Sequence, residues 1–258
     1  MKQFLKSWGP VLIFVAVIRS FIVEAFMVPT GSMENTILIG DFMLVSKFNY
    51  GVKLPFTTRT IIPTGEPRRY DIIVFRYPLD PDSPEPKENY IRIFPKFFPL
   101  LPLYWSKEKN FFHWYAPRNF VKRCVALEGE TVEVRDKVLY INGRPQNEHY
   151  IIHKDYWISP GLKSKEKFQE LWEKGSLINQ IEIRDNFGPV VVPKNCVFAM
   201  GDNRDNSSDS RFFGPLPKKY LKGKPLVIYF SSEAAPNLLR IALSPKSIRW
   251  DRIGRLVR

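Results

Sequence analysis

The chain has 258 residues, 44% hydrophobic and 14% aromatic, with 22 prolines and a formal net charge of +13. That length can bury a substantial core in one or two domains, the composition excludes a disordered chain, and the prolines suit a loop-rich β protein rather than a helical one. The charge admits two partners, nucleic acid or an anionic membrane surface. No zinc-finger spacing, RNA-binding aromatic motif or basic helix supports nucleic acid, and the scattered basic residues, with a modest cluster at Arg249, Arg252, Arg255 and Arg258, read as a solvated surface.

In chain order, the first feature is the largely apolar stretch from Trp8 to Val28. A membrane-spanning helix needs about 20 residues. The stretch is long enough, but Arg19 and Glu24 interrupt it and the uncharged run is only Ser7 to Ile18. Three readings are open. A membrane anchor would put Glu24 near one headgroup region and let Arg19 snorkel toward it. A cleaved signal peptide would use Lys2 and Lys6 as its basic region, although no small-residue cleavage site follows. The third reading is a buried core helix. The anchor fits the pattern best, and Lys2 and Lys6 then hold the N-terminus in the cytoplasm and the long remainder outside.

After Pro29 the pattern is that of strands. Asp41 to Phe48, Asp71 to Tyr77, Phe120 to Leu127, Glu130 to Val134, Val138 to Ile141 and Leu226 to Phe230 are β-prone, and Val190 to Val192 and Val197 to Met200 flank Pro193. Asn142-Gly143 predicts a tight hairpin. A helix is predicted over Ser164 to Lys174, with Phe168, Leu171 and Trp172 on one face. Asp80 to Glu88 reads as an exposed loop. Ile91 to Trp105, aromatic and broken by three prolines, either packs on the domain or dips into the membrane interface, where Trp and Tyr are favoured.

Cys124 and Cys196 have no CxxC spacing, so a metal site is unsupported. They either pair in an oxidising compartment or serve as two small apolar side chains. His113, His149 and His153 lie outside the polar motifs and read as ordinary surface or interface residues.

Three segments carry candidate chemistry. Ser32 lies in Val28-Pro29-Thr30-Gly31-Ser32-Met33, directly after the apolar stretch; Lys122 lies in Asn119-Phe120-Val121-Lys122-Arg123; and a polar loop runs from Gly201 to Arg211. A serine hydroxyl is a weak nucleophile and needs a base. Lysine can be that base only if its pKa falls from about 10.4 toward neutrality, which burial achieves by disfavouring the ammonium. Phe120, Val121, Cys124 and Val125 make an apolar setting for Lys122 credible. Taken singly, Lys122 reads as a surface lysine on a strand and Gly31-Ser32 as a turn or helix cap.

Taken in order, the segments resemble bacterial type I signal peptidases (leader peptidases, family S26), membrane-bound endopeptidases with a Ser/Lys dyad. The resemblance covers nearly the whole chain: the apolar stretch followed by Pro29-Thr30-Gly31-Ser32-Met33; Ile39 to Val45; Asp71 to Pro78; Phe120-Val121-Lys122-Arg123; and Gly201 to Arg211 followed by Phe212-Phe213-Gly214. It implies Ser32 as nucleophile and Lys122 as general base, with an oxyanion hole from the Ser32 N–H and the Thr30 hydroxyl. It further implies Ser207 orienting Lys122, and Asp209 and Arg211 bracing the loop by a salt bridge. Shallow pockets for small substrate side chains at −1 and −3 would be lined by Phe26, Val28, Met33, Met43, Phe120 and Val121.

The implied fold is mostly β: a catalytic core with a smaller inserted β region, behind an N-terminal transmembrane helix. The expected divisions are an anchor at 1–28, a first core part at 29–128 carrying a proline- and aromatic-rich insertion at about 79–117, an inserted β region at 129–193, and a second core part at 194–258. The expected partners are signal peptides of exported preproteins, membrane lipids and a nearby secretion translocon, with no nucleic acid, cofactor or metal. Three departures stand out: Asn35 where proline is usual, Tyr70 where glycine is common, and the insertion itself. A self-cleaving repressor with a similar dyad would need a DNA-binding domain and no anchor. A membrane-anchored binding protein with a dead site is opposed by the full set of catalytic residue types.

Overall fold

A computed structural model of the chain describes residues 22–53, 60–62, 64–80, 90–92, 103–106, 111–114, 118–235 and 244–258, with positions 8, 10 and 241. The strands in chain order are β1 (Val23–Met27), β2 (Asp41–Ser46), β3 (Val52–Lys53), β4 (Thr60–Ile62), β5 (Ile72–Arg76), β6 (Tyr90–Arg92), β7 (Leu103–Ser106), β8 (Phe111–Trp114), β9 (Asn119–Ala126), β10 (Thr131–Arg135), β11 (Val138–Ile141), β12 (Arg144–Pro145), β13 (Phe187–Val191), β14 (Cys196–Met200), β15 (Leu216–Pro217) and β16 (Leu221–Ser231). The short α-helices α1 (Phe168–Glu173) and α2 (Ser210–Phe213) accompany them. The fold is mostly β.

A seven-stranded sheet in the order β1-β2-β16-β5-β9-β14-β15 forms the main body. Its neighbouring strands are antiparallel throughout, with Phe26 opposite Met43 and Ile73 opposite Lys122. A four-stranded sheet, β12-β11-β10-β13, is built from residues 131–191, inside the stretch that separates β9 from β14. The turn at Asn142-Gly143 joins β11 to β12, and both residues have the positive φ that a two-residue hairpin demands (50° and 75°). Three apolar clusters hold these layers. One, around Trp172, Phe187 and Phe198, lies under the four-stranded sheet; a second surrounds Phe75 and Phe213; a third joins Val28, Met33, Ile37, Met43, Val74 and Ile228.

Several sequence expectations are corrected. The apolar stretch does not continue as a helix to Val28, because Val23–Met27 is a strand. Its alternation places Glu24, Phe26 and Val28 on one side, and pairing with β2 satisfies its backbone. Among the described residues no helix is long and apolar enough to cross a membrane; apart from Trp8 and Pro10, the proposed anchor's residues 1–21 lie outside them. The predicted helix over Ser164 to Lys174 is shorter, starting after Lys167, whose φ of 56° is non-helical. It buries Phe168 and Trp172 but leaves Leu171 39% exposed, so the three do not share a face.

Asp80 does not belong to an exposed loop. It is buried and accepts a hydrogen bond from the Arg118 N–H; residues 81–89 lie outside the described set, as do 93–102 of the aromatic segment, whose ends form β6 and β7. The late strand is longer than Leu226 to Phe230 because β16 absorbs Pro225 at a register shift, where no ladder N–H is required. Cys124 and Cys196 are both unpaired, the first buried and the second partly so.

Candidate active site

The Ser32 turn is held from both ends. After β1 the Val28 N–H bonds to Asp41 O at 2.9 Å, the chain bends at Thr30 and Gly31, and a turn follows, closed by the Ile37 N–H on Met33 O at 2.8 Å. Asn203 grips this turn from the polar loop: its N–H donates to Ser32 O at 3.1 Å and its side-chain amide to Gly31 O at 3.1 Å. From below, Asp41 accepts from the Leu38 N–H, the Ser231 hydroxyl and the Arg252 guanidinium, and Arg252 also donates to Thr36 O at 3.1 Å. Burial would raise the Asp41 pKa, but Arg252 and these hydrogen bonds hold it below the usual carboxylate value.

Lys122 sits on β9, fixed by its ladder with β5. It is 3% exposed, and its Nζ donates to Ser32 Oγ at 2.5 Å. The same amine lies 5.4 Å from the Phe120 ring centroid. Burial pushes its pKa down to about 8; the Asp209 and Asp202 carboxylates oppose that fall and Arg211 adds to it. An amine so placed is a hydrogen-bonded neighbour of the hydroxyl, and at mildly alkaline pH a large fraction of it is neutral.

The polar loop packs behind this pair. Arg211 is 1% exposed and bonds to both oxygens of Asp209, at 2.9 and 2.8 Å, and to the Arg184 and Arg204 carbonyls. Burial would raise the Asp209 pKa, yet Arg211 keeps the carboxylate below its ordinary value. Arg123, next to Lys122, is held by Asp202 at 2.9 and 2.7 Å and stacks 3.9 Å from the Tyr150 ring centroid. Gly201 is required by close approach: a Cβ there would lie 2.5 Å from Ser32 O and collide with the Ser207 hydroxyl.

A cleft of about 350 Å³ opens onto the pair. Phe26, Val28, Thr30, Ser32, Met33, Phe120, Val121 and Lys122 line it. Met43 does not; it is fully buried in the cluster beneath, because it faces Phe26 from the next strand inward. Neither the Ser32 N–H nor the Thr30 hydroxyl has a hydrogen-bond partner among the described residues, so both are available at the cleft.

Ser207 is also corrected. It is buried, but its Oγ makes no hydrogen bond to Lys122. The residue is extended after the 3-10 turn Arg204–Asn206, which sets its hydroxyl against Gly201 and close enough to Asp209 to help keep that carboxylate ionised.

Asn119, Asn206 and Ser208 line the cleft and were not anticipated, nor was the grip of Asn203. The polar loop's composition marks three of these as candidates, but only the fold shows which face the serine. His153, read as a surface residue, contacts the loop through Asp205 at 3.1 Å. The two departures near the site both carry positive φ, Asn35 at 90° and Tyr70 at 72°. Tyr70 occupies a conformation that costs a non-glycine residue about 1–2 kcal/mol. It is held there by its N–H on Cys124 O at 2.6 Å and its hydroxyl on Gln146 at 2.8 Å.

A buried amine against a serine hydroxyl at the end of a peptide-sized cleft is the arrangement of a hydrolase. The chain matches the family described as signal peptidase, peptidase S26, over residues 1–230, and it belongs to that family. It is 34% identical to signal peptidase I of Pseudomonas aeruginosa over 247 residues, covering 90% of this chain and 73% of the relative. It is 32% identical to that of Aquifex aeolicus over 233 residues, covering 86% and 82%. A crystal structure of a signal peptidase I from Enterococcus faecalis V583 is 25% identical and aligns over 62% of this chain and 96% of its own, with a TM-score of 0.32. The family assignment, which rests on the sequence matches, makes the chain a signal peptidase, an enzyme that removes signal peptides by serine-protease chemistry.

Proposed function

We propose that the chain cleaves N-terminal signal peptides from exported preproteins with Ser32 as nucleophile and Lys122 as general base. The observation that carries this is the 2.5 Å contact between a buried Lys122 amine and Ser32 Oγ. Neutral Lys122 takes the Ser32 proton as Oγ attacks the scissile carbonyl. The Ser32 N–H and Thr30 hydroxyl stabilise the oxyanion. The ammonium then protonates the departing amine, leaving an acyl-enzyme, and Lys122 draws a proton from water to release the signal peptide and restore the serine. Phe26, Val28, Met33, Phe120 and Val121 form shallow apolar walls that accept small side chains at −1 and −3 and reject bulk. No cofactor enters any step.

The proposed setting is the outer face of the cytoplasmic membrane, with an anchor in the first 21 residues, the N-terminus cytoplasmic, lipid headgroups beneath the domain and the translocon nearby. Cleavage of a purified preprotein tests the chemistry. Ser32→Ala and Lys122→Ala should each lower turnover by more than about a thousandfold, because nucleophile and base act as a unit. Lys122→Arg should fail equally, since guanidinium is not deprotonated near neutral pH. Near-wild-type turnover in any of the three overturns the assignment.

A further inference from the structure

The cleft does not end on apolar side chains. Residues two apart on a strand share a face and lie about 7 Å apart, so the face of β1 that presents Val28 and Phe26 next presents Glu24, moving away from Ser32. Glu24 pairs with Lys47 at 3.0 Å. On β16, between β2 and β5, Lys222 sets its amine 5.7 Å from the Phe26 ring centroid. Arg76 closes β5 opposite Asn119, which lines the other wall. Three cationic side chains therefore gather with one carboxylate at the end bounded by Phe26 and Asn119.

Lys222 is the exceptional member. It is half-buried, and its amine forms no ion pair among the described residues, Glu24 being bonded to Lys47. Burial holds its pKa below the ordinary lysine value; Glu24 opposes this and Lys47 and Arg76 reinforce it. A partly dehydrated ammonium whose nearby carboxylate, Glu24, is ion-paired to Lys47 carries a cost that an anionic group entering the cleft would reduce.

We infer that Lys222, beside Phe26, forms a subsite that selects an acidic side chain at position −5 of the substrate. This rests on the cleft reading given above. An extended peptide turns −1, −3 and −5 to the same side. With −3 over Phe26, −5 falls about 7 Å further along, at the Lys222 amine. A lysine or arginine at −5 would meet the cationic group and be disfavoured.

The test uses the full-length protein in detergent micelles and peptide substrates identical except for Glu, Gln or Lys at −5. The wild type should prefer Glu over Lys by about fivefold or more in kcat/KM, carried by KM, and added salt should compress the ratio. Lys222→Met should bring the ratio to within about twofold of unity, and Lys222→Gln, as a second variant, should do the same. A wild type that does not discriminate, or a ratio unchanged by both substitutions, overturns the subsite. Affinities of the same peptides for the Ser32→Ala protein should follow the same order. That measurement reads the subsite without the chemistry, so a failed dyad and a failed subsite give different results.

Discussion

Lys122 shows how a residue's chemistry is set by its surroundings. A lysine in water is almost wholly protonated at neutral pH and useless as a base. Enclosed on β9 it is pushed down to about 8, despite two carboxylates that favour its charged form. Only the neutral amine can accept the serine proton, so activity should rise with pH through an acid limb whose midpoint lies near 8. A pH–rate profile of kcat/KM checks this, and a profile flat from mildly acidic to alkaline pH would contradict a lysine base. Tyr70 is the opposite case. Its backbone adopts a conformation that suits glycine, and neighbouring hydrogen bonds from three directions hold it there.

At the scale of elements, the polar loop works as a rigid support rather than a set of independent contacts. Arg211 and Asp209 are both essentially excluded from solvent, so the guanidinium depends on the carboxylate for its charge balance. Removing one partner of such a buried pair costs about 3–5 kcal/mol. Asp209→Asn should lose stability on that order in denaturant unfolding. It should also move the acid limb to lower pH, because the Asp209 charge is one of the influences holding the Lys122 pKa up. A limb unmoved in this variant would separate Asp209 from the electrostatics of the base. The loop is tied outward as well: the Trp172 indole N–H donates to Ser210 O at 2.6 Å, which links α1 to α2.

At the scale of the whole molecule, β1 makes the cleft wall continuous with the chain that precedes it. The strand Val23–Met27 forms the last part of the apolar stretch, and Phe26 on it and Val28 just after it line the cleft. If residues 1–21 hold the anchor, the outer end of the cleft lies close to the lipid, where a signal peptide emerges. Protease added to intact spheroplasts should then digest the body of the chain. Complete protection until lysis would reverse the topology. The net charge of +13 should favour contact with anionic headgroups over neutral ones.

The local code carried much of this protein. Val138 to Ile141 has the predicted limits, and Asn142-Gly143 makes its hairpin, because turn chemistry and alternation act between neighbours. Ser32 and Lys122 stood out as candidates through the order of their motifs, and the Asp209–Arg211 pair followed from the family resemblance that those motifs carry. The strand at Val23–Met27 was not, because an apolar run satisfies helix and strand patterns alike until a partner strand decides. Nor were the burial of Met43 away from the cleft, the hydroxyl of Ser207 lying against Gly201, or the grip of Asn203 on the Ser32 turn. Each depends on which surfaces meet across long separations in the chain. Sequence therefore determined which groups were candidates to react, and the tertiary structure decided which of them share a cleft and how far burial shifts the lysine proposed as base.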